Sequence, residues 1–357
     1  MLLSGCSLVL KDSAVDAKQT IIDVNGEQVD KQTFLNAYNY TLTMQQYYAQ
    51  MLQQFGGDGT VDEASILQST LDNYISSLVL SQKAKELGFD QFTDAELAEL
   101  QAQAQEEYDT QLESIRTTYF ADSELEGDAL TAEVTAYAKA NGYTLDYQLD
   151  TAKSNKISER LKASVTDTVT ITDDDLQAAL DKEVASEKET FASTPAAYGT
   201  RVNAGTTVYY TPAGYRTIRV ISVDKPTEEG VSSDEAKQQI DALYLRLTAG
   251  EAFETLTEDV KTYAICADST TPEADVVAAA MQLTDALSYT EVLETEKAFY
   301  LAQLVEELPE HTATLEEARA TLYDATLTDA QDTAYNETVQ GWINAADVKT
   351  YTERLSD

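Results

Sequence analysis

One histidine, His311, and two cysteines, Cys6 and Cys266, limit the covalent and metal chemistry open to this chain. Zinc sites gather several Cys and His ligands at short spacings, and these three residues cannot supply such a cluster. A Ser-His-Asp relay would have to use His311. That residue follows Leu308-Pro309-Glu310 at the end of an apolar segment, and it reads as a solvated linker residue. Carboxylates are abundant, yet none of their runs has the spacing of a calcium-binding loop. No cofactor and no metal is expected.

Cys6 has a different chemistry open to it. Leu3-Ser4-Gly5-Cys6 has the pattern of a bacterial lipobox, in which small residues let a signal peptidase seat the chain and the thiol takes a diacylglycerol. Only Met1–Leu3 precede it, so the charged and apolar regions of a signal peptide are missing. The initiator is therefore read as falling inside a longer signal sequence. The mature chain is expected to begin at Cys6, which leaves Cys266 as the sole thiol and no intrachain disulfide. Two acyl chains anchor a protein stably where one does not, so membrane contact is expected through lipid on Cys6.

Acidic residues number 63 against 24 basic ones, a formal net charge of −39. Nucleic-acid binders need a basic footprint, so no nucleic-acid partner is expected. Docking on anionic lipid through protein charge is excluded on the same ground. Attraction to basic polypeptides is permitted, within about 8 Å at physiological salt. A surface that resists self-association is the plainer consequence. The length suits two or three domains, and 43% hydrophobic residues can build sizeable cores.

The elements that must position any site fall into a pattern. Ile21–Val29 is two apolar runs around Asn25-Gly26, the strongest short hairpin signal. Helical spacing then predicts a helix from about Asp30 to Phe55 through Phe34, Tyr38, Leu42, Tyr48, Met51 and Phe55. Its Gln, Tyr and Met content suits an adaptable surface for unfolded chains, although core packing is the commoner reason for such a stripe. A second helix spans about Asp62 to Leu87, and Thr93-x-x-Glu96 is a capping box opening a third. Helices follow near Asp128–Asn141 and Leu145–Thr166, and Thr172-x-x-Asp175 starts another running to about Phe191. Residues 192–206 read as loop. Thr207–Tyr210 and Tyr215–Val223 are β-branched and aromatic runs broken by Pro212 and Gly214, which is strand and turn chemistry. Ser232-x-x-Glu235 and Thr314-x-x-Glu317 are further capping boxes, Ala298–Val305 reads as a strand, and Asp347–Tyr351 alternates like one. No run of 18 apolar residues occurs.

Three of these segments carry a resemblance. YYTPAGYRTIRVISV, the helix SSDEAKQQIDALYLRLTAGEAFETL and AFYLAQLVEELPE are similar to the parvulin-type prolyl isomerase domain of the PrsA/SurA foldases. Leu247, Ala249, Gly250, Glu251 and Phe253 are the most specific piece. Val24–Glu27 followed by Phe34 resembles the opening of the N-terminal domains of the same proteins. The resemblance implies an α+β fold: a mostly helical SurA/PrsA-like chaperone region formed by N- and C-terminal arms, with an inserted parvulin-like domain of small antiparallel sheet plus helices. The implied boundaries are 1–19 for signal remnant and linker, 20–204 for the chaperone domain, 205–310 for the parvulin-like domain, and 311–357 for a helix and strand returning to the chaperone domain.

Twisting a prolyl bond faces a barrier of about 18–20 kcal/mol. Sites of the parvulin type meet it with two facing histidines, a nearby Cys or Asp, and Met or Phe beside a Gly-Gly loop. The resemblance puts Arg219 and Tyr300 at the two histidine positions. Gly341 is the sole glycine after Gly250, so the Gly-Gly loop is missing. Cys266 falls in the shortened stretch and reads as a lone buried thiol, and Met281 is the pocket candidate. Losing one preorganised polar group costs roughly 2.7–4 kcal/mol of catalysis. Isomerase activity is therefore expected to be weak or lost, with Arg219, Tyr300 and Met281 as peptide-binding candidates; an exposed strand pair is the equal alternative for the first two, and helix packing the commoner role for Met281. The implied function is a chaperone or foldase for unfolded or proline-containing exported polypeptides, extracytoplasmic and lipid-anchored to the outer face of the bacterial cytoplasmic membrane. The alternative is a non-catalytic envelope adaptor or structural lipoprotein. A solute-capturing lipoprotein would need two α/β lobes with parallel sheets, which the helical pattern opposes.

Overall fold

After a short helix, α1 (Ser13–Ala17), the chain enters β1 (Thr20–Val24) and turns through Asn25-Gly26 into β2 (Glu27–Asp30). Both turn residues take positive φ, 52° and 90°, as the expected hairpin requires. The computed structural model describes residues 13–228 and 231–356; Cys6 lies outside them. The described residues form two compact units, one from the chain up to Val169 together with Gln331 onward, the other Thr170–Ala330.

In the first unit α2 (Lys31–Gln54) starts at Asp30, whose carboxylate accepts from the Thr33 amide. That bond, with the Thr33 hydroxyl and Lys18, holds the Asp30 carboxyl down at about 2. Then come α3 (Glu63–Glu86), capped by Asp62, and α4 (Asp94–Tyr119), opened by the expected Thr93/Glu96 capping box. α5 (Gly127–Ala140) packs on α4 through Ile115, Val134 and Ala138, and α6 (Leu145–Thr166) lies along α4. Arg160 of α6 pairs with Glu96 and donates to the carbonyls of Phe89 and Gln91, both at 2.8 Å.

The second unit begins with α7 (Asp173–Ser193) and α8 (Ala196–Asn203). α8 occupies a stretch expected to be loop. Its Gly199 sits so close to the sheet that a Cβ would lie 2.5 Å from the Ala264 carbonyl oxygen, and Asn203 both accepts from the Ala264 amide and donates to its carbonyl. Helix formation here is decided by that packing rather than by local periodicity. β3 (Tyr210–Thr211), β4 (Tyr215–Asp224), α9 (Asp234–Thr248), a single 3₁₀ turn (Phe253–Thr255), β5 (Lys261–Ile265), α10 (Ala274–Ala280), β6 (Leu293–Glu294), β7 (Ala298–Leu308), β8 (His311–Thr312) and α11 (Leu315–Ala345) follow, α11 passing into the first unit from Gln331. β5-β4-β7-β6 form a four-stranded antiparallel sheet in that order, and β3 pairs with β8. On one face Ile218, Val220, Ala302 and Leu304 pack against Val276, Val277 and Ala280 of α10. On the other, Ile221, Phe299 and Leu301 pack against Ile240 and Leu247 of α9 and against Phe253. The α+β fold read from the sequence, mostly helical with small antiparallel sheets, is the fold observed.

The last strand, β9 (Val348–Thr350), belongs to the first unit and pairs antiparallel with β1, Ile22 opposite Thr350 and Val24 opposite Val348. The chain's two arms thus share one core, in which Ile21, Ile22, Phe34 and Val79 are buried with Trp342, Ile343 and Leu355 packed against them. Lys31 is buried at the join. Its ammonium pairs with Asp16 at 3.0 Å and donates to the Arg354 carbonyl at 2.6 Å, while Arg354 donates to the Thr20 carbonyl at 2.6 Å. These contacts order α1, which falls in a stretch expected to be polar linker.

A carboxylate is also buried in the second unit. Glu187 of α7 is 2% exposed and lies on the helix face of Leu176, Leu180, Val184 and Phe191. Its Oε2 accepts from the amides of Tyr209 and Tyr210, at 2.7 and 2.8 Å, and Oε1 lies 3.4 Å from Arg201. These bonds fix where β3 begins, at Tyr210 rather than at Thr207. Burial pushes the carboxyl up from its ordinary value, opposed by the two amides and Arg201. The native state therefore holds this proton more tightly than the unfolded chain does. Its contribution to stability grows as pH falls through the native value and is lost as pH rises. Glu187→Gln keeps one oxygen for both amides, so it is expected to stay within about 1 kcal/mol of the native protein at pH 7 and to flatten that pH dependence. Glu187→Ala orphans both amides and is expected to cost about 2 kcal/mol in urea unfolding; an alanine variant of native stability would refute the assignment.

Candidate functional site

Along β4 and β7 successive side chains point to opposite faces, and that alternation decides the fate of the expected peptide site. Arg219 stands opposite Gln303 and Tyr300 opposite Ser222. Tyr300 lies on the α10 face with Ile218 and Val220. Arg219, between those two residues in sequence, lies on the α9 face. The two do not face each other across a groove, as the sequence reading had them do. A one-residue difference in register exchanges the faces of a whole strand, and the β4 positions that share Tyr300's face are Ile218, Val220 and Ser222.

Each of these side chains is already engaged. Tyr300 is 8% exposed and donates to Glu273 at 3.3 Å; burial, then the Glu273 charge, pushes its hydroxyl up to about 12. Arg219 pairs with Glu254 at 3.2 Å. Met281 packs against the Tyr300 face, and its carbonyl accepts from Arg216 at 2.9 Å. Cys266 is a buried free thiol in a cluster with Tyr198, Tyr215 and Phe191, as expected. His311 is on β8, exposed, 3.3 Å from Glu317. Among the described residues no group of three His, Cys, Asp or Glu side chains is arranged to hold a metal ion.

The larger chemical surface is on α2. Its first half packs inward through Phe34 and Tyr38. From Tyr40 onward it leaves Tyr40, Met44, Tyr47, Tyr48, Met51 and Leu52 in solvent, together with Phe55 just beyond its end. Tyr40 is 70% exposed and Phe55 84%. At 100° per residue these seven positions fall within an arc of about 140°, along a row about 22 Å long. Ala49, which is buried, points to the opposite side. Core packing, the commoner reason for such a stripe, holds for the first half of the helix and fails for the second. The stripe is also neutral: Gln32 through Gly57 include no charged residue. Helical spacing named Tyr48, Met51 and Phe55 and missed Tyr40, Met44, Tyr47 and Leu52; the missing charges are the further signal that the stripe is not all core. A crevice of about 520 Å³ lies between α3 and α6 in the same unit, lined with hydroxyls from Ser76, Ser77, Ser81, Ser154 and Ser158.

Residues 7–123 match the family of SurA-like N-terminal domains, a span that takes in β1, β2, α2, α3 and α4. The exposed row of α2 lies within this matched stretch, and the likeness to the family read from Val24–Glu27 and Phe34 is borne out. Solved structures similar to the chain include one of the two Campylobacter jejuni proteins PEB4 and Cj1289, described as SurA-like chaperones, with 10% identity over 93% of this chain and 98% of that one and a TM-score of 0.35. PrsA from Bacillus subtilis matches with 16% identity, coverage of 93% and 94%, and a TM-score of 0.23. The foldase PrsA from Streptococcus pneumoniae matches with 15% identity, coverage of 94% and 97%, and a TM-score of 0.24. No curated protein sequence matches the chain.

Proposed function

We propose that this protein is an extracytoplasmic chaperone that holds unfolded exported polypeptides on the exposed stripe of α2. The observation that carries the reading is the row from Tyr40 to Phe55, seven large apolar side chains left in water within a SurA-like domain. Contiguous apolar surface of this kind marks an interaction site. Tyrosines add a polar handle, and the thioethers of Met44 and Met51 adapt to varied partners. A holdase lowers the free population of aggregation-prone chains by giving their apolar segments a reversible partner. In this proposal 20–204 and 311–357 make the chaperone region, 205–310 a parvulin-like module, and lipid on Cys6 the anchor to the outer face of the cytoplasmic membrane.

The sheet module is assigned no catalysis. Tyr300 is buried beneath α10 and Arg219 is on the other face, so these two groups do not meet one twisted amide, and joint peptide binding by Arg219, Tyr300 and Met281 is set aside. A protease-coupled proline-peptide assay is expected to run at the uncatalysed rate; a clear acceleration would overturn this part. For the anchor, the N-terminal peptide from a bacterial membrane fraction is expected to carry a diacylglycerol on Cys6, visible in its mass. For the stripe, Tyr40→Ser, Tyr47→Ser and Phe55→Ser together are expected to leave the circular dichroism unchanged, because all three side chains are exposed. The same variant should lose most of the suppression of light scattering by a denatured secreted protein. Full suppression by the variant would sink the assignment of α2.

A further inference from the structure

Along the chain, the charges that follow the α2 stripe as far as Lys83 are of one sign. Between Lys31 and Lys83 the sequence has no basic residue. The charged residues in that interval are Asp58, Asp62, Glu63 and Asp72, and all four are exposed. Asp58 and Asp62 stand in the turn between α2 and α3, close beyond Phe55, and each accepts from a nearby backbone amide, Thr60 for Asp58 and Ser65 for Asp62. Glu63 opens α3, and Asp72 lies further along it. The helical hairpin thus presents an uncharged apolar row with an acidic collar, on a chain whose formal net charge is −39.

We infer that the α2–α3 hairpin selects cationic unfolded segments, in which Lys or Arg alternates with aromatic and aliphatic residues. This rests on the stripe being the client surface. An approaching segment of positive charge meets no like charge on the stretch between Lys31 and Lys83, and its apolar residues reach a row that demands no desolvation of ions. A negatively charged segment of equal hydrophobicity is opposed by the collar and by the field of the whole chain. Complementary potential of this kind acts on encounter and on discrimination between partners more than on the apolar contact itself. Collar and client lie within a Debye length only on contact, about 8 Å at physiological salt, so the preference is salt-sensitive. A second copy of this chain is the poorer occupant, because it would bring an equal negative charge and an identical acidic collar to the contact.

The test uses two labelled unstructured peptides with the same Phe, Tyr and Leu residues, one with Lys and one with Glu at the positions between them. Fluorescence anisotropy would follow their binding to the full chain at low and high salt. The lysine peptide is expected to bind about tenfold more tightly at low salt, with the gap closing as salt rises. Asp58→Asn, Asp62→Asn, Glu63→Gln and Asp72→Asn in one chain should narrow the gap severalfold, with both peptides still bound. The serine variant of the stripe should lose both peptides. Equal affinity of the native protein for the two peptides would overturn the charge selection and leave the stripe intact as client surface. Native-like binding of the lysine peptide by the serine variant would overturn both readings, since the acidic surface elsewhere would then be the binder. A dimer in sedimentation equilibrium that the serine variant abolishes, and that neither peptide displaces, would make a second copy the occupant and overturn the inference.

Discussion

The antiparallel pairing of Val348–Thr350 with Ile22–Val24 closes the first unit, and most of what that unit does follows from it. The hairpin β1–β2 by itself is two short strands, marginal in water. With β9 added it becomes a three-stranded sheet whose apolar side chains meet Phe34 and Val79, with Trp342 and Ile343 packed against them. Lys31 sits beneath this join with its charge satisfied by Asp16 and the Arg354 carbonyl. The first turn of α2 is thereby fixed at its buried end. A helix held firmly at one end can leave the rest to solvent, as the exposed side chains from Tyr40 to Phe55 are.

The second unit depends on a different constraint, the alternation of faces along β4 and β7. It provides two apolar surfaces, one for α10 and one for α9. Every polar residue on those strands must then find a partner at an edge or lose its hydration. Arg219 finds Glu254, Tyr300 finds Glu273, and Arg216 finds the carbonyls of Met281 and Leu283 together with Glu307. The side chains that a sequence comparison would nominate for catalysis are used here to finish the module's own surface. Glu187 makes the same point in the helical part, where a carboxylate on a core face serves as the anchor for the start of a strand.

Charge ties the two levels together. A chain with a formal net charge of −39 is protected from self-association by repulsion, which makes an exposed apolar row tolerable in a way it would not be on a neutral protein. The row is short and uncharged, so contact there costs little ionic desolvation.

The sequence by itself determined the local elements. The Asn25-Gly26 hairpin, the helices opened by Asp30, Thr93 and Thr172, the strands β4 and β7 and the return strand near Lys349 all appear where turn chemistry, capping and periodicity put them. It determined them because each depends on residues a few positions apart. It also carried enough of the SurA-like opening for the family to be read from Val24–Glu27 and Phe34. Tertiary structure alone decided the rest. α8 is helical because Gly199 and Asn203 meet β5 across more than sixty residues, and β3 starts late because Glu187 holds two amides from another helix. Which half of α2 is core and which is surface depends on how far the β1–β9 core reaches along it. Arg219 and Tyr300 part company because strand register, a property of two segments and not of one, sets which face a side chain takes.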